Sequence, residues 1–230
     1  MIEFTAHASS SGGNLYTLDD GKTRIIIDPG LPIAQIKKAL DFKLSGISGA
    51  LCTHGHRDHA EGTAGIMTAG IDLYCSQDTA NTLELSGHRL HIIKHKKPFT
   101  VGTFTVLPFS VPHDIPNLAF VLTSGKHKCL FMIDALYCPY HFIGLTHIFL
   151  GINFDNDILR ENVRAGSIDP ALARRIMSNH MSLGTALNFF KAQDLSKVQE
   201  IHVLHCSESN LDKDKAKTEI QKLSGKVVII

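Results

Sequence analysis

Short apolar runs recur along the chain, separated by turn residues or by stretches with helical spacing. Strands are expected at 2–8 and 14–18, around the loop Ser9-Ser10-Ser11-Gly12-Gly13-Asn14. The run Thr23 to Ile27 reads as a buried strand that ends in Asp28-Pro29-Gly30, an acid followed by a turn. Ile33, Ile36 and Leu40 form one stripe and predict an amphipathic helix over 31–42. A buried strand then closes with Gly49-Ala50-Leu51-Cys52, and a helix is expected over 60–69. Further strands are expected at 71–75 and 102–111, in a hairpin of 118–123 with 129–134, and at 147–152, 201–205 and 226–230. Helices are expected at 79–85, 157–165, 171–178, 184–193 and 212–223; Asp169 and Pro170 supply an N-cap and first turn for the third. No repeat, low-complexity tract or linker divides the chain, so one domain spanning 1–230 is expected.

Composition narrows the class without naming a function. The chain is 43% hydrophobic and 20% charged, ordinary values for a globular protein. A net charge of +1 gives no global field toward nucleic acid, membrane or acidic partners, so any such attraction must be local. No basic segment followed by an apolar core opens the chain, and no apolar run reaches the roughly 20 residues of a membrane span. The five cysteines form no Cys-x-x-Cys pair, and Cys52, Cys75 and Cys129 lie in apolar runs, which points to buried free thiols and a cytoplasmic location. The most basic stretch, 88–97, reads either as an edge strand guarded by lysines or as a phosphate contact.

The histidine count, 14, changes the picture. Three of them stand in Thr53-His54-Gly55-His56-Arg57-Asp58-His59, directly after a buried strand. In extended chain His54 and His56 leave the same face and can converge on one ion, while Asp58 and His59 lie further on, near a second. Imidazole with carboxylate suits zinc, manganese or iron better than calcium or magnesium. Asp28, the cluster, His113, Asp134 and His205 each fall at or just past the end of an apolar run. Strand ends on one side of a sheet are where a scaffold can gather distant residues.

In that order and spacing the chain resembles the metallo-β-lactamase superfamily, whose pattern is a strand-end Asp, then His-x-His-x-Asp-His, then His, Asp and His. Within it the likeness is to the YycJ/WalJ-type nucleases, carried by the loop Ala8 to Asn14, by Pro112-His113-Asp114, by Asn179-His180-Met181-Ser182-Leu183 and by Leu204-His205-Cys206-Ser207-Glu208-Ser209-Asn210. Three positions depart from that subgroup: Gly151 stands for an acid, Phe154 for a histidine and Leu183 for an asparagine. The departures suit a divergent or phage-encoded member and are expected to shape the substrate pocket.

The resemblance implies an α/β fold, an αββα sandwich of two mixed β-sheets flanked by helices. It implies two divalent metal ions, Zn or Mn. His54, His56 and His113 would hold one, Asp58, His59 and His205 the other, with Asp134 bridging and Asp28 behind the ligands. A hydroxide bridging the pair would attack a phosphodiester, with Asp58 as proton acceptor and His180 as a phosphate contact or acid; read alone, His180 is a capping residue after a helix. Ser11, Asn14 and Ser182 are the substrate contacts implied. The activity implied is an exonuclease on DNA single strands or ends. A cyclic-nucleotide phosphodiesterase is the alternative, and a thioester, lactone or β-lactam hydrolase is a more distant one. The partners implied are a nucleic acid or nucleotide substrate and no membrane, with a homodimer left open.

Overall fold

The computed structural model describes residues 2–230. Its strands are β1 (Glu3–Ser10), β2 (Gly13–Asp19), β3 (Arg24–Ile27), β4 (Ile47–Leu51), β5 (Leu73–Cys75), β6 (Leu90–Ile92), β7 (Phe99–Val101), β8 (Phe104–Val111), β9 (Asn117–Ser124), β10 (His127–Met132), β11 (His147–Gly151), β12 (Glu200–Leu204) and β13 (Val227–Ile229). The helices are α1 (Ile33–Ala39), α2 (Arg57–Ala60), α3 (Thr63–Thr68), α4 (Gln77–Thr82), α5 (Asn156–Arg164), α6 (Pro170–Asn179), α7 (Leu183–Ala192) and α8 (Lys213–Ser224). The strands fall into two sheets, ordered β1-β2-β3-β4-β5-β6 and β13-β12-β11-β10-β9-β8-β7. In the first, β1 to β3 pair antiparallel and β3 to β6 parallel; in the second, β10 to β13 run parallel and β7 pairs antiparallel with β8. Two mixed sheets flanked by helices are the fold class expected.

The chain divides into two compact units, one formed by residues 1–110 and 120–126, the other by 111–119 and 127–230. In the first unit, Leu15, Ile26, Ala50 and Leu73 of four neighbouring strands are fully buried, packed with Ile36 of α1 and Ile66 of α3. Their burial supplies the apolar contact that short strands and helices need to persist. In the second, the buried parallel strands β10 to β12 read as near-continuous apolar runs. A small cluster of Phe154, Leu159 and Ala173 seats α5 and α6.

Two expected helices differ in extent, and one strand is an addition. The helix expected over 31–42 is the shorter α1: Pro32 stands at its N-cap, and Asp41 and Phe42 take positive φ values of 50° and 60° beyond its end. The helix expected over 60–69 begins earlier, at Arg57, and is two short helices. Gly62 sends its N–H to the Pro29 carbonyl at 2.8 Å, which interrupts the helical ladder. Asp58 and His59 therefore sit inside a helical turn. Strand β7 was not expected; it is three residues long, too short to show a period. The basic stretch carries β6, the last strand of its sheet, and Arg89 there pairs with Asp72 at 3.0 Å. Among the described residues no helix is long and apolar enough to cross a membrane.

Candidate metal centre

The first unit builds one cluster around a single acid. Asp28 follows β3 in the left-handed region, with φ 51°, and is fully buried. One of its oxygens accepts the Thr53 backbone N–H at 2.8 Å; the other accepts the Thr53 hydroxyl and His59 Nδ1–H, each at 2.9 Å. A carboxylate only accepts, so the donor count fixes both imidazoles. Thr53 gives its only hydroxyl proton to Asp28 and must therefore accept from His54 Nδ1, 2.9 Å away. The donor count thus places a proton on Nδ1 of His54 and of His59, and in the neutral rings each Nε2 carries the lone pair that a metal ligand requires. His54 Nε2 stands 3.1 Å from His56 Nδ1, and His59 Nε2 stands 3.3 Å from Asp58 Oδ2. Cys52, next to the cluster, keeps its proton in the metal-free protein. Burial and the nearby Asp28 push its thiol well above the usual range, and its Sγ donates to the His54 carbonyl.

Backbone packing holds the turn that carries Asp58. A Cβ on Gly30 would fall 1.7 Å from the Asp58 carbonyl oxygen, so the residue that ends the Asp28-Pro29-Gly30 turn must be glycine. Asn14, expected to meet substrate, is fully buried instead and donates to the same Asp58 carbonyl at 3.1 Å. Ser11 lies in the exposed turn between β1 and β2.

The second unit builds another cluster. His113 follows β8 and donates Nδ1–H to the Asn179 carbonyl at 2.9 Å. Burial lowers its pKa, opposed by that hydrogen bond and by Asp134 and Asp114, and with the Nδ1 proton so placed the neutral ring has its lone pair on Nε2. Asp134 and His205 follow β10 and β12, both in the left-handed region, with φ 48° and 52°. Non-glycine residues are rare there, and such strain persists where the surroundings impose it, commonly at functional sites. Asn117 holds the Asp134 carbonyl at 2.7 Å. Asp134 Oδ1 has His180 Nδ1 at 3.3 Å and His205 Nε2 at 3.6 Å. His180 does cap α6, with its N–H on the Ile176 carbonyl, and its ring also lies 5.4 Å from that of His113.

Each expected ligand is thus gathered with the others of its unit: His54, His56, Asp58 and His59 in one, His113, Asp134 and His205 in the other. Ser182 is nearly buried and caps α7 by accepting the Thr185 N–H at 3.1 Å. The three departures lie inside the second unit. Gly151 ends β11 so close to Ile133 that a Cβ would meet its Cα at 3.1 Å, and Phe154 and Leu183 are buried and joined by a 2.8 Å backbone hydrogen bond. Apolar side chains suit that position, where a histidine or asparagine would need partners. Sequence reasoning missed Thr53 and the Asn179 carbonyl as the groups that orient His54 and His113. The only local signal was a threonine directly before the first histidine.

The family model described as "Beta-lactamase superfamily domain" matches residues 23–203. An exodeoxyribonuclease WalJ of Streptococcus pneumoniae serotype 2 is 26% identical, over 94% of this chain and 85% of its own length. An exodeoxyribonuclease YycJ of Bacillus anthracis is 25% identical, over 96% of this chain and 89% of its own. The crystal structure of the metallo-β-lactamase fold protein YhfI from Bacillus subtilis superposes with a TM-score of 0.76 at 16% identity, covering 100% of this chain and 95% of that one. With the strand-end acids, the ordered histidines and the two mixed sheets, these matches show that the chain belongs to the beta-lactamase superfamily and is a metallo-β-lactamase-fold hydrolase.

Proposed function

We propose that the chain is a metal-dependent phosphodiesterase acting on nucleic acid, as an exonuclease on DNA single strands or ends, with its two units working as one domain over 1–230. The observation that carries this reading is the reach of the likeness to the exodeoxyribonucleases, which runs along 94% of the chain. That length includes His180 and the segments on either side of it.

His54, His56, His113 and Asp134 are the proposed donors to one divalent cation, and Asp58, His59, Asp134 and His205 to a second. The donor chemistry fits such ions: buried imidazoles with their protons set by Asp28, Thr53 and Asn179, together with carboxylates, suit zinc or manganese. A bound pair would supply neutralisation of phosphoryl charge and a water acidified toward neutrality. Asp58, whose side chain is about a quarter exposed at 24%, is the proposed acceptor of that water's proton. His180, beside Asp134 and partly exposed, is proposed to hold a phosphate oxygen or to protonate the leaving oxygen. Ser11 is the proposed direct substrate contact, while Asn14 and Ser182 act through the residues they hold. A cytoplasmic location accords with five free cysteines.

The net charge of +1 favours a second reading, a cyclic-nucleotide phosphodiesterase, because a small substrate needs no extended basic surface. Digestion of end-labelled single- and double-stranded oligonucleotides with added Mn or Zn tests both, alongside a cyclic mononucleotide. Nucleotide release by the wild type and none by Asp58→Ala is expected. Equal activity in the two proteins would assign the cleavage to a contaminant. Turnover of the cyclic mononucleotide alone would replace the first reading by the second. Full activity in His180→Ala would remove only the role given to His180.

A further inference from the structure

Seven arginines occur in the chain. Four pair with carboxylates: Arg24 with Asp19, Arg57 with Glu61, Arg89 with Asp72 and Arg175 with Asp114. Among the described residues no carboxylate stands within ion-pair reach of the other three, Arg160, Arg164 and Arg174. All three line one groove of about 320 Å³ between α5 and α6. No acidic residue lines it, and Leu159, Val163 and Met177 give it an apolar floor. Arg160 and Arg164, one turn apart, share a face of α5, and Arg174 stands on α6.

Asp157 and Glu161 also stand on α5, but neither pairs with these arginines nor lines the groove. Like charges gathered without a paired carboxylate repel one another, which a polyanion relieves. Guanidinium is the side chain that meets phosphate with two parallel N–H groups and also stacks its plane on a base. A duplex would place phosphates on the arginines and leave the apolar floor in water, since its bases are turned inward. A single strand can cover both. The groove also lies close to the site already described. Met177 precedes His180, the C-cap of α6, by three residues, about one helical turn along the axis.

We propose that the α5–α6 groove binds single-stranded nucleic acid, with backbone phosphates on Arg160, Arg164 and Arg174 and bases over the apolar floor. The proposal rests on the nuclease reading for the identity of the strand. It makes the groove the substrate-gripping surface of a chain whose net charge is close to zero.

The test is a combined Arg160→Gln, Arg164→Gln and Arg174→Gln variant; all three side chains are exposed, so the fold should be unaffected. Anisotropy of a labelled phosphorothioate single strand on the metal-loaded protein should show about tenfold weaker binding. The slope of log affinity against log salt should fall by about 2, as expected for loss of about three phosphate contacts. In digestion, KM for the oligonucleotide should rise about tenfold with kcat within about twofold, and turnover of bis(p-nitrophenyl) phosphate should not change. Wild-type affinity and salt slope in the variant would overturn the proposal, as would a wild type that binds no single strand. An equal loss for duplex would overturn the single-strand assignment. Loss of binding to phosphatidylglycerol vesicles with the oligonucleotide unaffected would make the groove a membrane contact instead. The two readings fail separately: a wild type that binds the strand through these arginines but releases no nucleotides defeats the nuclease alone.

Discussion

The carboxylate of Asp28 accepts His59 Nδ1–H at 2.9 Å, and both side chains are completely buried. The same carboxylate takes the Thr53 hydroxyl and through it orients His54. One acid thus decides where the proton sits on two imidazoles of the cluster.

Asp28→Asn should separate that role from folding. Asparagine tolerates the left-handed backbone at this position but presents an amide N–H₂ where a second acceptor is needed. Zinc affinity, read by competition with a chelating dye, should fall about 10–100-fold. Stability of the metal-free protein should fall by about 1–3 kcal/mol, because buried donors lose their partner. Unchanged zinc affinity would contradict the orienting role.

Gly30→Ala adds one methyl group against the Asp58 carbonyl, where nothing flexible can move aside. Thermal and urea unfolding should show a loss of about 1–3 kcal/mol, and metal content should fall with it because Asp58 is displaced. Wild-type stability and metal content together would show that the loop does not need this approach.

His205 allows strain and ligation to be told apart. Its φ of 52° disfavours any L side chain, so His205→Gly should be more stable than His205→Ala by about 1–2 kcal/mol. Both variants should lose the same share of bound metal. If the alanine and glycine variants unfold at the same denaturant concentration, the backbone strain at this residue has no energetic weight.

Stability should fall as the pH drops below about 6.5, the ordinary histidine value. Burial pushes the pKa of His147 down, and it does the same at His202, where Glu200 opposes but does not cancel it. Both rings are neutral in the folded protein where the unfolded chain already binds protons. Their contribution is therefore complete above the unfolded pKa and is lost as the pH falls through the folded one. Urea unfolding of metal-free protein at several values between about pH 5 and 8 should show this slope. The double variant His147→Gln/His202→Gln should flatten it, and an unchanged slope would exclude the two residues as its source.

Most strands were legible because each is a short apolar run closed by a turn residue, and local period carries that signal. The expected strand starting at residue 23 and the strand ending on His205 are β3 and β12, within a residue or two. The split between α2 and α3 was not legible. It depends on Gly62 meeting the Pro29 carbonyl, a partner 33 positions earlier that no local window contains. Asn14 and Ser182 are substrate contacts that the resemblance implies; their burial and their backbone partners come from packing that no local window contains.

The sequence by itself determined the inventory of donors and their strand-end positions, since residue type and apolar spacing are written locally. It also determined the family, through the order Asp28, His54 to His59, His113, Asp134 and His205. Tertiary structure alone decided which nitrogen of His54, His59 and His113 keeps its proton, and which three arginines are left without a carboxylate. The physical reason is the same in both cases: proton position and charge balance are set by the nearest groups in space, and those groups arrive from distant parts of the chain.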